Sequence, residues 1–151
     1  MSKRIALAAD HAGFEEKEKL KTTLNELGVD FVDMGTNSAD SVDYPDYALK
    51  VGRAVANGEA DQGLLVCGSG TGMAIAANKV HGVRAAVAWS PDIARLAREH
   101  NNANVLSLPA RFINDDQTKE ILKAWFAADF EGGRHERRVD KIVEAENEDL
   151  Q

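Results

Sequence analysis

The run Cys67-Gly68-Ser69-Gly70-Thr71-Gly72 joins the only cysteine of the chain to three glycines at alternate positions. Glycines so spaced let a backbone turn tightly and aim several N–H groups at one point. A helix starting near Gly72 adds the positive end of its dipole. Such a loop binds an oxyanion, and it is expected to lower the pKa of a thiol held beside it. A thiolate of that kind serves as a general base. The competing reading is a buried structural cysteine at a strand-to-helix turn; the glycines favour function. The loop is no nucleotide signature, because it lacks the Lys-Ser/Thr of a P-loop and runs Gly-x-Gly-x-Gly rather than Gly-x-Gly-x-x-Gly.

Three further groups carry chemistry. Asp10-His11-Ala12-Gly13 sets a carboxylate beside an imidazole, although Asp10 can equally cap the next helix. His100 stands in Arg98-Glu99-His100-Asn101-Asn102-Ala103-Asn104. A helix C-terminus favours a histidine there, and the asparagines suit a turn as well as a ligand. Arg134 and Arg138 lie four apart after Gly132-Gly133, so they share one helix face. Two guanidiniums on one face suit a phosphate, or a solvated face paired with Glu131 and Glu136. The four histidines show no close ligand spacing and a lone cysteine builds no zinc site, so no metal is expected.

The elements that must position these residues alternate along the chain. Apolar runs at Ile5–Ala9, Val29–Met34, Gly63–Cys67, Val83–Ala88 and Val105–Leu108 read as five strands. Between them lie helical stripes: Leu20, Leu24 and Leu27, stopped at Gly28; then Tyr44, Ala48, Val51 and Val55, stopped at Gly58. The segment from Gly72 to His81 reads as a helix. Ser90-Pro91 caps another, bearing Ile93, Leu96 and Ala97. Asp115 or Asp116 is expected to cap a fifth with Ile121, Leu122, Trp125 and Phe126. A last helix with Val139, Ile142 and Val143 is expected to run into an acidic tail. This order predicts an α/β fold: one doubly wound, Rossmann- or flavodoxin-like parallel sheet of five strands with helices on both faces. Ligands of such folds bind at the carboxyl ends of the strands. There the sequence places Asp10-His11, the Cys67 loop, Trp89-Ser90 and Pro109-Ala110-Arg111.

At 151 residues the chain suits one domain, and its composition, 44% apolar and 28% charged, is ordinary for a globular protein. It has no apolar run of membrane-spanning length, and a soluble cytoplasmic protein is the default expectation. A net charge of −7 argues against a nucleic-acid surface. It also requires that any phosphate-bearing ligand be met by a local cluster of cations.

The motifs together resemble the ribose-5-phosphate isomerase B family, which includes galactose-6-phosphate isomerase subunits. The likeness runs through Asp10-His11-Ala12-Gly13, Asp43-Tyr44-Pro45-Asp46-Tyr47-Ala48, Cys67 to Met73, Ala76-Ala77-Asn78-Lys79, Ala97 to Val105 and the C-terminal arginines. It implies a cofactor-free, metal-free aldose–ketose isomerisation of a sugar phosphate through a cis-enediolate, with ribose 5-phosphate and ribulose 5-phosphate as the leading pair. By the resemblance, Cys67 moves the proton between C2 and C1, and His100 assists ring opening with Asp10 nearby. Ser69 and the amides of Gly68, Gly70, Thr71 and Gly72 hold the enediolate oxygen. His11, Arg111, Arg134 and Arg138 contact phosphate, and Tyr44 and Asn101 contact the sugar. One subgroup carries a glutamate base at the position of Thr71 and a serine at that of Cys67, so this chain reads as the cysteine type. The family is dimeric with sites at the subunit interface, which implies a homodimer, or a tetramer of two paired dimers, in which a partner chain supplies part of the site. Trp89 at the pocket edge suits a shorter or differently shaped sugar, so four- and six-carbon sugar phosphates (erythrulose, allose or galactose type) are the alternatives. A non-catalytic phosphosugar-binding module is the reading outside enzymes.

Overall fold

The computed structural model describes residues 3–149. Its strands are β1 (Arg4–Ala9), β2 (Asp30–Asp33), β3 (Gln62–Cys67), β4 (Ala85–Val87) and β5 (Val105–Pro109). Its helices are α1 (Phe14–Glu26), α2 (Tyr44–Ala56), α3 (Thr71–Ala77), α4 (Pro91–Asn101), α5 (Asp115–Ala127) and α6 (Arg134–Asp149). The five strands form one parallel sheet in the order β2-β1-β3-β5-β4. The predicted α/β sheet is therefore present.

Strand alternation divides the core into two layers. Ile5, Leu7, Leu64, Val66, Leu106 and Leu108 face α1, α4 and α5, where Leu20, Leu24, Ala94, Ile121 and Trp125 meet them. Ala6, Ala8, Leu65, Cys67 and Val105 face α2 and α3, against Ala48, Val51, Met73 and Ala77. Cys67 thus ends a wholly buried strand, on the face covered by α2 and α3.

The order of strand addition reverses between β1 and β3, since β2 lies on one side of β1 and the later strands on the other. The crevice of a doubly wound sheet opens at such a point. Ala9 pairs with Val66 and Cys67 with Pro109. That register brings Asp10, Cys67 and the 109–111 turn to one end of adjacent strands.

Several element limits differ from the sequence reading. β2 and β4 are shorter, and α3 stops at Ala77 before a turn that leads to Gly82. The cap of α5 is Asn114, not Asp115 or Asp116. Its side chain accepts from the Gln117 N–H while the Gln117 side chain accepts from the Asn114 N–H, a reciprocal capping box that neither aspartate can form from inside the helix. Asp10 does not cap α1, whose N-cap is Gly13, but accepts from the Gly13 N–H at 3.0 Å within the preceding turn. The acidic segment after Val143 continues α6 to Asp149 rather than forming a tail, and Glu146 there accepts from the Gly82 N–H.

Candidate active site

A pocket of about 250 Å³ opens at the carboxyl ends of β1 and β3, with Asp10, His11 and Ala12 on one side and Cys67, Gly68 and Ser69 on the other. Tyr44 and Arg111 close it. Tyr44, the first residue of α2, lays its ring so near Gly72 that a Cβ there would sit 2.7 Å from the ring. Arg111 lies along Gly68 in the turn after β5.

The loop turns at Gly70, whose φ of +78° places it in the left-handed region. Its N–H donates to Cys67 Sγ at 3.1 Å, and its carbonyl accepts from the buried Ser107 hydroxyl at 2.7 Å. Ser69 Oγ accepts from the Thr71 N–H at 3.3 Å. Gly70 and Thr71 therefore direct their amides to the loop's own sulfur and hydroxyl rather than into the pocket.

Burial drives the Cys67 thiol above its ordinary value. The backbone N–H of Met73 works against this, the neighbouring Asp10 carboxylate adds to it, and the N–H groups of Gly70 and Ser69 oppose it. The lowered pKa expected from the glycine loop is thus corrected. Donors do converge on the sulfur, but it is buried beside a carboxylate, and desolvation outweighs them.

His11 Nδ1 accepts from the Val42 N–H at 3.2 Å, which leaves Nε2 as the nitrogen free to meet a ligand. The loop carrying Val42 is held in turn at its base. There Lys17, wholly buried, donates to the Thr36 carbonyl and to both oxygens of Asp33 at 2.7–2.8 Å.

His100, Asn101, Arg134 and Arg138 do not line this pocket. The reason is topological. Helix α4 runs back against the strands, so its last turn lies at their amino ends. There the Asn104 carbonyl, just beyond α4, accepts from the N–H of Gly63 at 2.8 Å, four residues before Cys67, which is about 13 Å along a strand. At this far end Asn102 adopts a left-handed φ of +47°. Arg84 donates to the Asn101 and Asn102 carbonyls, and Arg98 to that of Ala103 at 2.6 Å. Arg134 and Arg138 open α6, which begins beside the end of α4, where the Glu131 N–H donates to the Glu99 carbonyl. The predicted residues thus form two clusters at opposite ends of the sheet.

The sequence reading missed Ser107, Arg84, Arg98 and Lys17, which hold these loops. A serine inside the apolar run Val105-Leu106-Ser107-Leu108 was a visible signal, since a hydroxyl there needs a partner. The two arginines carried none, because their acceptors are backbone carbonyls and, for Arg98, also the Asn102 side-chain oxygen.

Among the described residues no helix is long and apolar enough to cross a membrane.

Residues 5–142 match the Ribose/Galactose Isomerase family. The chain is 46% identical over 144 residues to ribose-5-phosphate isomerase B of Escherichia coli, covering 95% of this chain and 97% of that protein. It is 40% identical over 139 residues to the D-erythrulose-4-phosphate isomerase of Pectobacterium atrosepticum, covering 91% of each. The crystal structure of ribose-5-phosphate isomerase B from Mycoplasma genitalium with bound ribulose-5-phosphate superposes with a TM-score of 0.92 at 45% identity, covering 98% of this chain and 99% of that one. Fold, strand-end pocket and relatives agree: this chain belongs to the Ribose/Galactose Isomerase family and is a sugar-phosphate isomerase.

Proposed function

We propose that the enzyme interconverts ribose 5-phosphate and ribulose 5-phosphate with Cys67 as the base. One observation carries the reading: the Cys67 sulfur stands at the pocket wall beside Asp10, with backbone donors on it and no acidic side chain elsewhere in its loop. In the open-chain aldose, the thiolate takes the proton from C2. Charge then collects on the C1 oxygen, and the loop amides not spent on the sulfur stabilise it. A proton passes from the C2 hydroxyl to the C1 oxygen, and the thiol returns its own proton to C1, giving the C2 ketone and the C1 alcohol of the ketose. A thiol kept above its ordinary pKa is a strong base once ionised, at the cost of a small ionised fraction near neutrality.

The remaining groups enter through a second copy of the chain. In a two-fold pair, the pocket of one protomer meets the far-end cluster of the other. His100 of the partner subunit then assists ring opening, Asn101 of the partner subunit contacts the sugar, and Arg134 and Arg138 of the partner subunit hold the phosphate with His11 and Arg111 of the first. This arrangement supplies the local positive charge that a chain of net charge −7 needs.

A four-carbon sugar phosphate is the second reading. It is favoured by Trp89, which follows β4 at the pocket end of the sheet and is 56% exposed, and by the erythrulose-type relative. The test is solvent-deuterium incorporation with a panel of four-, five- and six-carbon aldose and ketose phosphates. Exchange fastest with the five-carbon pair, and absent in Cys67→Ala, is the expected result. Exchange that persists in Cys67→Ala removes the thiol as base, and fastest exchange with a four-carbon substrate selects the second reading.

A further inference from the structure

His100 lies in the last turn of α4 and His135 in the first turn of α6, yet their rings stack with centroids 4.1 Å apart and planes at 10°. Between them Glu131 places Oε1 3.3 Å from His100 Nε2 and 3.8 Å from His135 Nε2. All three donor atoms lie within 4.8 Å of one another. Gly132 and Gly133, both with positive φ, fold the chain back so that the side chains on either side of them converge. The bond from the Glu131 N–H to the Glu99 carbonyl holds that residue against the last turn of α4.

Ligand atoms around a tetrahedral zinc ion, with bonds of about 2.0–2.1 Å, stand roughly 3.3 Å apart. Two of the three pairs here are already near that spacing. Two imidazoles and one carboxylate suit zinc and its neighbours rather than calcium or magnesium.

We propose that His100, Glu131 and His135 form a site for a divalent transition-metal ion of the zinc class, and that an ion seated there withdraws His100 from isomerisation. The metal site stands on geometry alone; its inhibitory effect rests on the role given to His100 under Proposed function. Parallel rings direct their lone pairs into parallel planes, so one ring turns as the ion enters. His100, 38% exposed at its side chain, has the room, and the torsion concerned has a broad minimum. The guanidiniums of Arg134 and Arg138, whose charges reach His135, oppose a cation. Affinity is accordingly expected to fall well short of that of a structural zinc site.

The test titrates the intact protein with Zn²⁺ by calorimetry and with Co²⁺ by visible absorption. Wild type, Glu131→Gln, His135→Asn and Cys67→Ala are compared, with melting curves as the control for folding. One ion per chain is expected, with affinity at least about tenfold weaker in Glu131→Gln and in His135→Asn and unchanged in Cys67→Ala. No binding, or binding that survives Glu131→Gln and vanishes in Cys67→Ala, overturns the site. In wild type, saturating Zn²⁺ is expected to suppress turnover, and a chelator to restore it. An ion bound at this site with turnover unchanged overturns the inhibitory half, and with it the assignment of His100, while the site itself stands.

Discussion

The Ser107 hydroxyl and the Gly70 carbonyl meet at 2.7 Å inside the protein, tying β5 to the loop that presents Cys67. Because the N–H of the same glycine donates to Cys67 Sγ, Gly70 is held from both ends: by a strand on one side and by the reactive sulfur on the other. The left-handed turn at Gly70 is thereby fixed in the orientation that aims a donor at the thiol.

Removing that tie is expected to loosen the loop. Ser107→Ala leaves the Gly70 carbonyl with the Ala74 N–H as its remaining donor, a loss of about 0.5–1.5 kcal/mol. Urea unfolding should register the loss of stability, and steady-state kinetics should show kcat falling more than KM rises. An unchanged kcat would show that the loop keeps its geometry without Ser107.

The raised Cys67 pKa sets a pH dependence. Because the thiolate is the active form, kcat/KM should climb with pH and still be climbing at the ordinary thiol value of about 8.5. Asp10→Asn removes a neighbouring negative charge, which favours the thiolate, so the titration should move to lower pH. The rate of alkylation by iodoacetamide against pH reads this directly, independently of turnover. A shift to higher pH in Asp10→Asn contradicts the electrostatic account.

Gly13 is a packing requirement. A Cβ there would lie 2.1 Å from the Val66 carbonyl oxygen, on the residue before Cys67. Gly13→Ala must push α1 off β3 and is expected to cost more than about 4 kcal/mol, seen as a large drop in melting temperature or as insoluble protein. A variant melting within a few degrees of wild type would refute this reading of the contact.

The buried Lys17 depends on Asp33. Burial raises the Asp33 carboxyl, but Lys17, Lys21 and the Gly35 N–H outweigh it and hold it below its ordinary value. Its stabilising contribution is therefore complete above the ordinary carboxylate range and is lost as pH falls through the lower folded value. Asp33→Ala leaves Lys17 buried with Glu18 as its remaining charged partner, at an expected cost of about 3–5 kcal/mol at neutral pH. The gap between variant and wild type in denaturant unfolding should narrow toward acid; a gap independent of pH would exclude the ion pair as its cause.

The division of the site between two ends of the sheet gives the sharpest test of pairing. Cys67→Ala and His100→Asn chains should each be nearly inactive as separate preparations. Unfolded together and refolded, they should regain about a quarter of wild-type activity, because half of the pairs are mixed and each mixed pair holds one intact site. No recovery from a mixture that demonstrably exchanges subunits would place both residues in one chain's site.

Local sequence determined the order of strands and helices, since apolar period, glycine stops and Ser90-Pro91 act over a few residues. It also determined that Asp10, Cys67 and Arg111 meet, because in a parallel α/β sheet every strand delivers its carboxyl end to the same side. Tertiary structure alone decided the rest. The sign of the Cys67 shift depends on how deeply the fold buries the sulfur, which a count of glycines does not contain. The separation of His100 and Arg134 from Cys67 depends on the direction of α4 across the sheet. The meeting of His100 with His135 depends on the fold-back at Gly132-Gly133, a contact between helices that no ligand spacing along the chain encodes.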